Sequence, residues 1–208
     1  MLKNFIKIAL INTCILSAGI TQAYTIGNTN NSLVSPEDII KPDQQAQYFE
    51  KWLGVIEVGT TTRKYLELYT GEGNVVKRPI GDKVYYIDKV TSKTLIIETN
   101  HQDVIEVTTY KNYIELPPGV KSISSVKSSK KMNIKNLMTS MGSRMGYTPT
   151  RIISAYGRPS VEVLSKNERE FKYIMLGNYH PKKDFVYLEY SFVFKKNKLA
   201  EIRIENGK

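Results

Sequence analysis

Residues 186–194, VYLEYSFVF, alternate without a break. Val186, Leu188, Tyr190, Phe192 and Phe194 fall on one side, and Tyr187, Glu189 and Ser191 on the other. A period of two over this length marks a strand with one buried and one wet face. KKNK then turns the chain, and LAEIRIE returns with Ala200, Ile202 and Ile204 inward and Glu201 and Arg203 outward. Upstream, FKY adds a third strand with Phe171 and Tyr173 inward and Lys172 outward. An antiparallel sheet of this kind needs a cover on its apolar side.

The cover is announced by MGYTPTRIISAYGRP, residues 145–159. Thr148 is placed to accept the free N–H groups of a first helical turn, and Pro149 suits the first helical position. Ile152, Ile153 and Tyr156 make one face, Gly157 ends the helix and Pro159 forbids its resumption. A helix of two turns is unstable alone and must lie on the sheet.

The same order occurs earlier. With a shift of 87, Gly59 falls on Gly146, Thr61 on Thr148, Tyr65 and Leu66 on Ile152 and Ile153, Tyr69 on Tyr156, and Tyr86 on Tyr173. With a shift of 95, Leu95, Ile97, Val104, Glu106 and Val107 meet Tyr190, Phe192, Leu199, Glu201 and Ile202. One insertion aligning turn, helix and strand pattern predicts an internal duplication. The expected fold class is α+β, as two tandem units, each with short helices on a three-stranded antiparallel sheet. The units are expected over 44–116 and 133–208. PPGVKSISSVKSSKK reads as a solvated linker over 117–132. Within the first unit, Pro42-Asp43 predicts a helix that places Tyr48, Trp52 and Leu53 on one side. Tyr69, Tyr86, Tyr156, Tyr173 and Tyr190 are expected in the buried stripe.

The first residues read as a secretory signal. Lys3 and Lys7 precede a mostly apolar run, Ile8 to Ile20, and Thr21-Gln22-Ala23 offers small residues for cleavage after about Ala23. Residues 24–43 read as a flexible leader. Cys14, the one cysteine, lies inside the signal, so the processed chain would have neither disulfide nor thiol chemistry. Cleavage would also remove the apolar run and leave no membrane-spanning segment. The chain carries a formal charge of +10, of which the signal holds two units. Export argues against a nucleic-acid partner. A basic exported protein meets envelope or secreted proteins, anionic lipid or anionic glycan. The expected location is periplasmic or secreted.

The motif Gly-x-Thr, short helix, Tyr-Gly-x-Pro, Phe-x-Tyr strand and the hairpin ending VFKKNKLAEIRI resembles the SmpA/OmlA (BamE-like) family of small envelope proteins. The match runs over about Asn133 to Asn206, and the first half joins it through the repeat. Two such units in one exported chain are also similar to the tandem arrangement of β-lactamase inhibitory protein. The resemblance implies a role in outer-membrane assembly or envelope integrity. The family's assembly lipoproteins carry a lipid-modified cysteine at the mature N-terminus. Here Asn12-Thr13 precede Cys14 and the apolar run continues past it, so lipidation is not expected.

Catalytic signatures are scarce. His101 and His180 sit in turn sequences without companions at metal-ligand spacing. There is no Gly-x-Ser-x-Gly, and Gly71-Glu72-Gly73 lacks the rest of a phosphate loop. No cofactor or metal is implied. Glu98, Glu106, Glu189 and Glu201 could supply the paired carboxylates of a glycoside hydrolase acting on a wall polymer, but they fall on a face expected to be open. Tyr85 and Tyr187 point to that face beside the same carboxylates and Arg203. Tyrosine and arginine dominate protein–protein hot spots. The expectation is therefore a non-catalytic protein-binding accessory or scaffold, with Tyr85, Glu98, Glu106, Tyr187, Glu189, Glu201 and Arg203 as contact residues. The alternatives are a secreted enzyme inhibitor and the hydrolase.

Overall fold

The computed structural model describes residues 48, 50–129, 134–176 and 187–207. The signal (1–23), the leader (24–43), His180 and Val186 lie outside the described residues. The fold is α+β. A small hairpin, β1 (Trp52–Leu53) and β2 (Ile56–Glu57), precedes helix α1 (Arg63–Thr70). Four strands follow: β3 (Asn74–Lys77), β4 (Asp82–Asp88), β5 (Lys93–Thr99) and β6 (Ile105–Lys111). Helix α2 (Pro149–Tyr156) then leads to β7 (Val161–Leu164), β8 (Glu168–Leu176), β9 (Tyr187–Lys195) and β10 (Lys198–Gly207).

Each helix thus leads four strands, one more than the alternation predicts. The extra ones, β3 and β7, are four-residue edge strands, too short to show a period. Nor do the halves stand apart. All eight strands form one antiparallel sheet in the order β3-β4-β5-β6-β10-β9-β8-β7, joined by β6–β10 pairing such as Tyr110 with Ile202. A single core covers one face. Tyr86, Leu95, Ile97 and Tyr110 share it with Phe171, Tyr173, Tyr190, Phe192, Ile202 and Ile204, under Leu66 of α1 and Ile152 and Tyr156 of α2.

The β9 register agrees with the alternation: Leu188, Tyr190, Phe192 and Phe194 are buried, while Tyr187 and Glu189 are partly exposed on the opposite side. In β10 a bulge makes Ala200 the extra residue, so Leu199 rather than Ala200 shares the core with Ile202 and Ile204.

The helices require a correction. The N-caps are Thr62 and Thr148 and the closing glycines are Gly71 and Gly157, each with left-handed φ. The helical shift is therefore 86. Leu66 and Thr70 occupy the places of Ile152 and Tyr156 as the buried residues. Tyr65 and Tyr69 point outward, with their hydroxyls 2.9 Å apart. Thr62 accepts from the Tyr65 N–H, whereas the Thr148 side chain makes no capping bond and Pro149 alone starts α2.

At Trp52 and Leu53 the β1–β2 hairpin stands where the helix from Pro42-Asp43 was expected to continue, and residues 42–47, where it was expected to begin, lie outside the described residues. Gly54, with φ +60, makes the turn and donates to the Met138 carbonyl at 2.8 Å. Gly81, before β4, is the tightest approach in the sheet. It has φ +69, and a Cβ there would sit 1.8 Å from the Thr99 carbonyl oxygen. Backbone cannot yield as a side chain does, so Gly81→Ala is expected to cost about 2–4 kcal/mol from strain and steric conflict. Urea denaturation checks this; a loss under 1 kcal/mol would show that the turn relaxes.

Candidate functional site

The face opposite the core is divided between the halves. Over β4 and β5 it is sealed. After β6, the Thr94 hydroxyl donates to the Tyr113 carbonyl (3.1 Å) and accepts from the Glu115 N–H (2.9 Å), pinning the chain at the start of β5. Ile114, Leu116, Val120 and Val126 then pack on Tyr85, Ile87 and Ile96. The Asn74 amide clamps Lys127, accepting from its N–H at 2.8 Å and donating to its carbonyl at 3.0 Å. Ser128 pairs alongside Ile87, and the Ser129 hydroxyl donates to the Thr70 carbonyl at the end of α1, 2.8 Å away.

Residues 112–129 are therefore a strap around the β3 edge, from the outer face to the core face. This corrects the solvated-linker reading. The apolar residues Val120 and Val126 are widely spaced, so they show no period, yet they meet one outward apolar cluster on the sheet. It also corrects Tyr85. The residue points outward as predicted but is 2% exposed beneath the strap and offers no contact surface.

Over β7–β10 the face lacks such a cover among the described residues. Arg203, Ser191 and Lys172 lie side by side on neighbouring strands, as do Glu205, Glu189 and Ile174. Lys172 pairs with Glu189 at 3.2 Å, Arg203 with Glu205 at 2.6 Å, and Lys111 with Glu201 at 3.0 Å. Tyr113 donates its hydroxyl to Glu201 at 3.1 Å. Burial alone would lower the Lys111 and Lys172 ammonium groups, but their carboxylate partners outweigh it and hold both above the ordinary lysine range. Such pairs are worth about 0–1 kcal/mol each at a surface. Their larger effect is to fix an ordered charge pattern.

At the margin, Tyr187 packs with Val161, Val163 and Ile174 as a small apolar island, its ring lying across Gly207 of the next strand. Burial, then Glu205 and Glu189, push its phenol up, so the hydroxyl stays neutral.

Of the seven expected contact residues, Tyr187, Glu189, Glu201 and Arg203 share this open face. Glu98 belongs to the other half, paired with Arg78 at 2.6 Å and Lys83 at 3.0 Å. Glu106 is the extra residue of a β5–β6 bulge and accepts from the Asn100 and Asn206 amides at 2.7 and 3.0 Å. Burial would raise the Glu98 carboxyl, but Lys83 and Arg78 prevail and hold it below the usual range. A glycosidase acid needs the opposite displacement. His101 is an exposed turn residue, and no group of three metal-ligating side chains occurs among the described residues. No described helix is long and apolar enough to cross a membrane.

Sequence reasoning missed Glu205, the next outward residue after Arg203, although the same period of two identifies it. It also missed Glu50, a fully buried carboxylate. Glu50 accepts from the Ser140 hydroxyl and the Trp52 N–H at 3.0 Å, from the Tyr156 hydroxyl at 3.0 Å and from the Met141 N–H at 3.3 Å. Burial pushes the Tyr156 phenol up, which keeps it a donor. Apart from Trp52, its partners lie 90 and more residues away, and an acid among Tyr48, Phe49 and Trp52 was the available signal.

No family model matches the chain, and no curated protein does. The SmpA/OmlA resemblance therefore gains no support beyond its short motifs. Among solved structures, the chain is similar to a DUF4309 family protein, YjgB, from Bacillus subtilis. The TM-score is 0.39 and the identity 13%, over 81% of this chain and 88% of that one. It is also similar to a candidate beta-lactamase inhibitor protein from Streptococcus mutans, with TM-score 0.26 and 14% identity, over 80% of this chain and 89% of that one. Likenesses this loose transfer no activity.

Proposed function

We propose that this is an exported, non-catalytic accessory protein of the cell envelope that holds another protein on the outer face of β7–β10. One observation carries the reading. Within one continuous sheet, the chain seals the outer face of the first half with its own strap and, among the described residues, lays no such cover over that of the second half. That part joins an apolar margin at Tyr187 to an ordered lattice of Lys172, Glu189, Arg203 and Glu205. That combination suits a partner interface, with an aromatic anchor beside charges that set register and choice of partner. The fusion of two copies of one helix-plus-strands unit, as in the SmpA/OmlA resemblance, would account for how one face came to be open and its counterpart closed.

Crosslinking through a photoreactive residue at position 187 in intact cells tests the proposal. Capture of membrane-assembly or other envelope proteins supports it, capture of one soluble enzyme supports the inhibitor reading, and the absence of any protein adduct overturns both. The double variant Tyr187→Ala/Arg203→Ala is expected to weaken capture of the identified partner at least tenfold, the scale of a hot-spot loss. Its stability should fall by no more than about 1–2 kcal/mol, because both side chains lie at the surface. Unchanged capture would show that the lattice is only a solvated face.

A further inference from the structure

A second surface lies at the end of the sheet where the β7–β8 and β9–β10 turns come side by side. Leu164, Lys166 and Asn167 from the first turn, and Lys195, Lys196 and Asn197 from the second, line a shallow groove of about 700 Å³. Lys195 and Lys198 pair across a two-residue turn in which Lys196 and Asn197 both have left-handed φ, 49° and 61°. This tight turn sets both side chains at the tip of the hairpin.

The charge balance here is uneven. Arg169 is paired with Glu162 at 2.7 Å and Lys195 with Glu168 at 2.9 Å. Lys166, Lys196 and Lys198 are exposed, and none has an acidic partner within ion-pair distance among the described residues. The corresponding end of the first half serves as an internal comparison. There Arg63 pairs with Asp82 and Asp103 at 2.8 and 3.0 Å, Lys77 with Asp82 at 2.9 Å, and Arg78 with Glu98 at 2.6 Å. The same position in the fold is neutralised in one half and left positive in the other.

We infer that the groove binds an anionic polysaccharide, a linear, hydroxyl-rich chain carrying carboxylate or sulfate groups. Lys166 and Lys196 in the groove, with Lys198 outside its lining on the far side of the hairpin turn, supply attraction for the acidic substituents. The Asn167 and Asn197 amides offer both donors and acceptors, which suits sugar hydroxyls. Leu164, 54% exposed, offers an apolar patch for the C–H face of a sugar ring. A flat bilayer would touch the turn tips and leave the groove unused. A single-stranded nucleic acid would want an exposed ring for base stacking, and the groove's own ring, Phe194, is 1% exposed. The sheet face takes no part, so this inference and the protein-binding proposal stand separately.

Calorimetric titration of the full chain with heparin oligosaccharide and with polygalacturonate tests it. Neutral dextran, phosphatidylglycerol vesicles and single-stranded DNA are the comparison ligands. The triple variant Lys166→Ser/Lys196→Ser/Lys198→Ser should bind the preferred polysaccharide roughly 100-fold more weakly, about fivefold per lysine. Lys77→Ser/Arg78→Ser, at the neutralised end, should change affinity less than twofold. Asn197→Gly preserves the turn and should weaken polysaccharide binding several-fold without altering its salt dependence. Unchanged melting temperatures would show that all three variants are folded. Equal weakening by the triple and control variants would reduce the effect to diffuse charge and overturn the inference. So would tighter binding to vesicles or DNA than to either polysaccharide, or no polysaccharide binding at all.

Discussion

Tyr85→Ala is expected to destabilise the protein by about 3–5 kcal/mol, the usual cost of truncating a buried aromatic ring, and to lower its melting temperature by about 10 °C. The ring is almost wholly enclosed between β4 and the strap, in contact with the cluster of Ile87, Ile96 and Val126. Removing it leaves a void that Ile114, Leu116 and Val120 cannot fill, because hydrogen bonds at Thr94 and Asn74 hold both ends of the strap. Amide hydrogen exchange should then rise in residues 112–129 before it rises in β8–β10. If Tyr85→Ala costs less than 1 kcal/mol, the strap is not seated on the sheet in solution and the first half's face is available to partners after all. Tyr187 is the matched contrast. It occupies the same outer face of the same sheet, but with no strap over it among the described residues, so its truncation should register in partner capture rather than in stability.

The second large effect is expected at Glu50. Glu50→Ala should cost about 3–5 kcal/mol, the scale of leaving several buried hydrogen-bond donors without an acceptor. It strips an acceptor from two hydroxyls and two backbone N–H groups at once. Tyr156, one of the donors, lies at the centre of the aromatic cluster, with its ring centroid 5.0–5.6 Å from those of Phe192, Tyr190 and Tyr173. Tyr190 in turn donates its hydroxyl to the Tyr48 carbonyl at 2.7 Å. The loss should therefore loosen the N-terminal segment, the loop at 139–143 and α2 together. Glu50→Gln should recover only part of the stability, since its amide group turns donors toward donors. Guanidinium unfolding of the three proteins orders them. Equal stability of Glu50→Ala and the parent would show that the carboxylate is dispensable to the core.

What was legible in the chain follows the distance over which each interaction acts. The inward and outward residues of β9 could be read directly, because alternation is a property of the strand itself. The start and stop of α2 were likewise readable, since Pro149 and Gly157 act within one turn. The helical phase of α1 was not. A shift of 87 aligns tyrosine with tyrosine, but the caps Thr62 and Gly71 set the shift at 86 and turn Tyr65 and Tyr69 outward. Similarity of residue type misled there because the closing glycine, rather than the aromatic side chain, decides where the helix ends. The open face was half legible: Tyr187, Glu189, Glu201 and Arg203 are brought together, while Tyr85, Glu98 and Glu106 are not.

By itself, the order of residues determined the two faces of β9 and the limits of α2, which depend on neighbours a few positions apart. The tertiary structure alone decided that the halves share one sheet and one core, that residues 112–129 close one outer face, and that Glu50 ties down a loop 90 residues away. Those outcomes depend on which surfaces meet after folding. A widely spaced valine or a lone buried acid carries no local sign of the partner it will find.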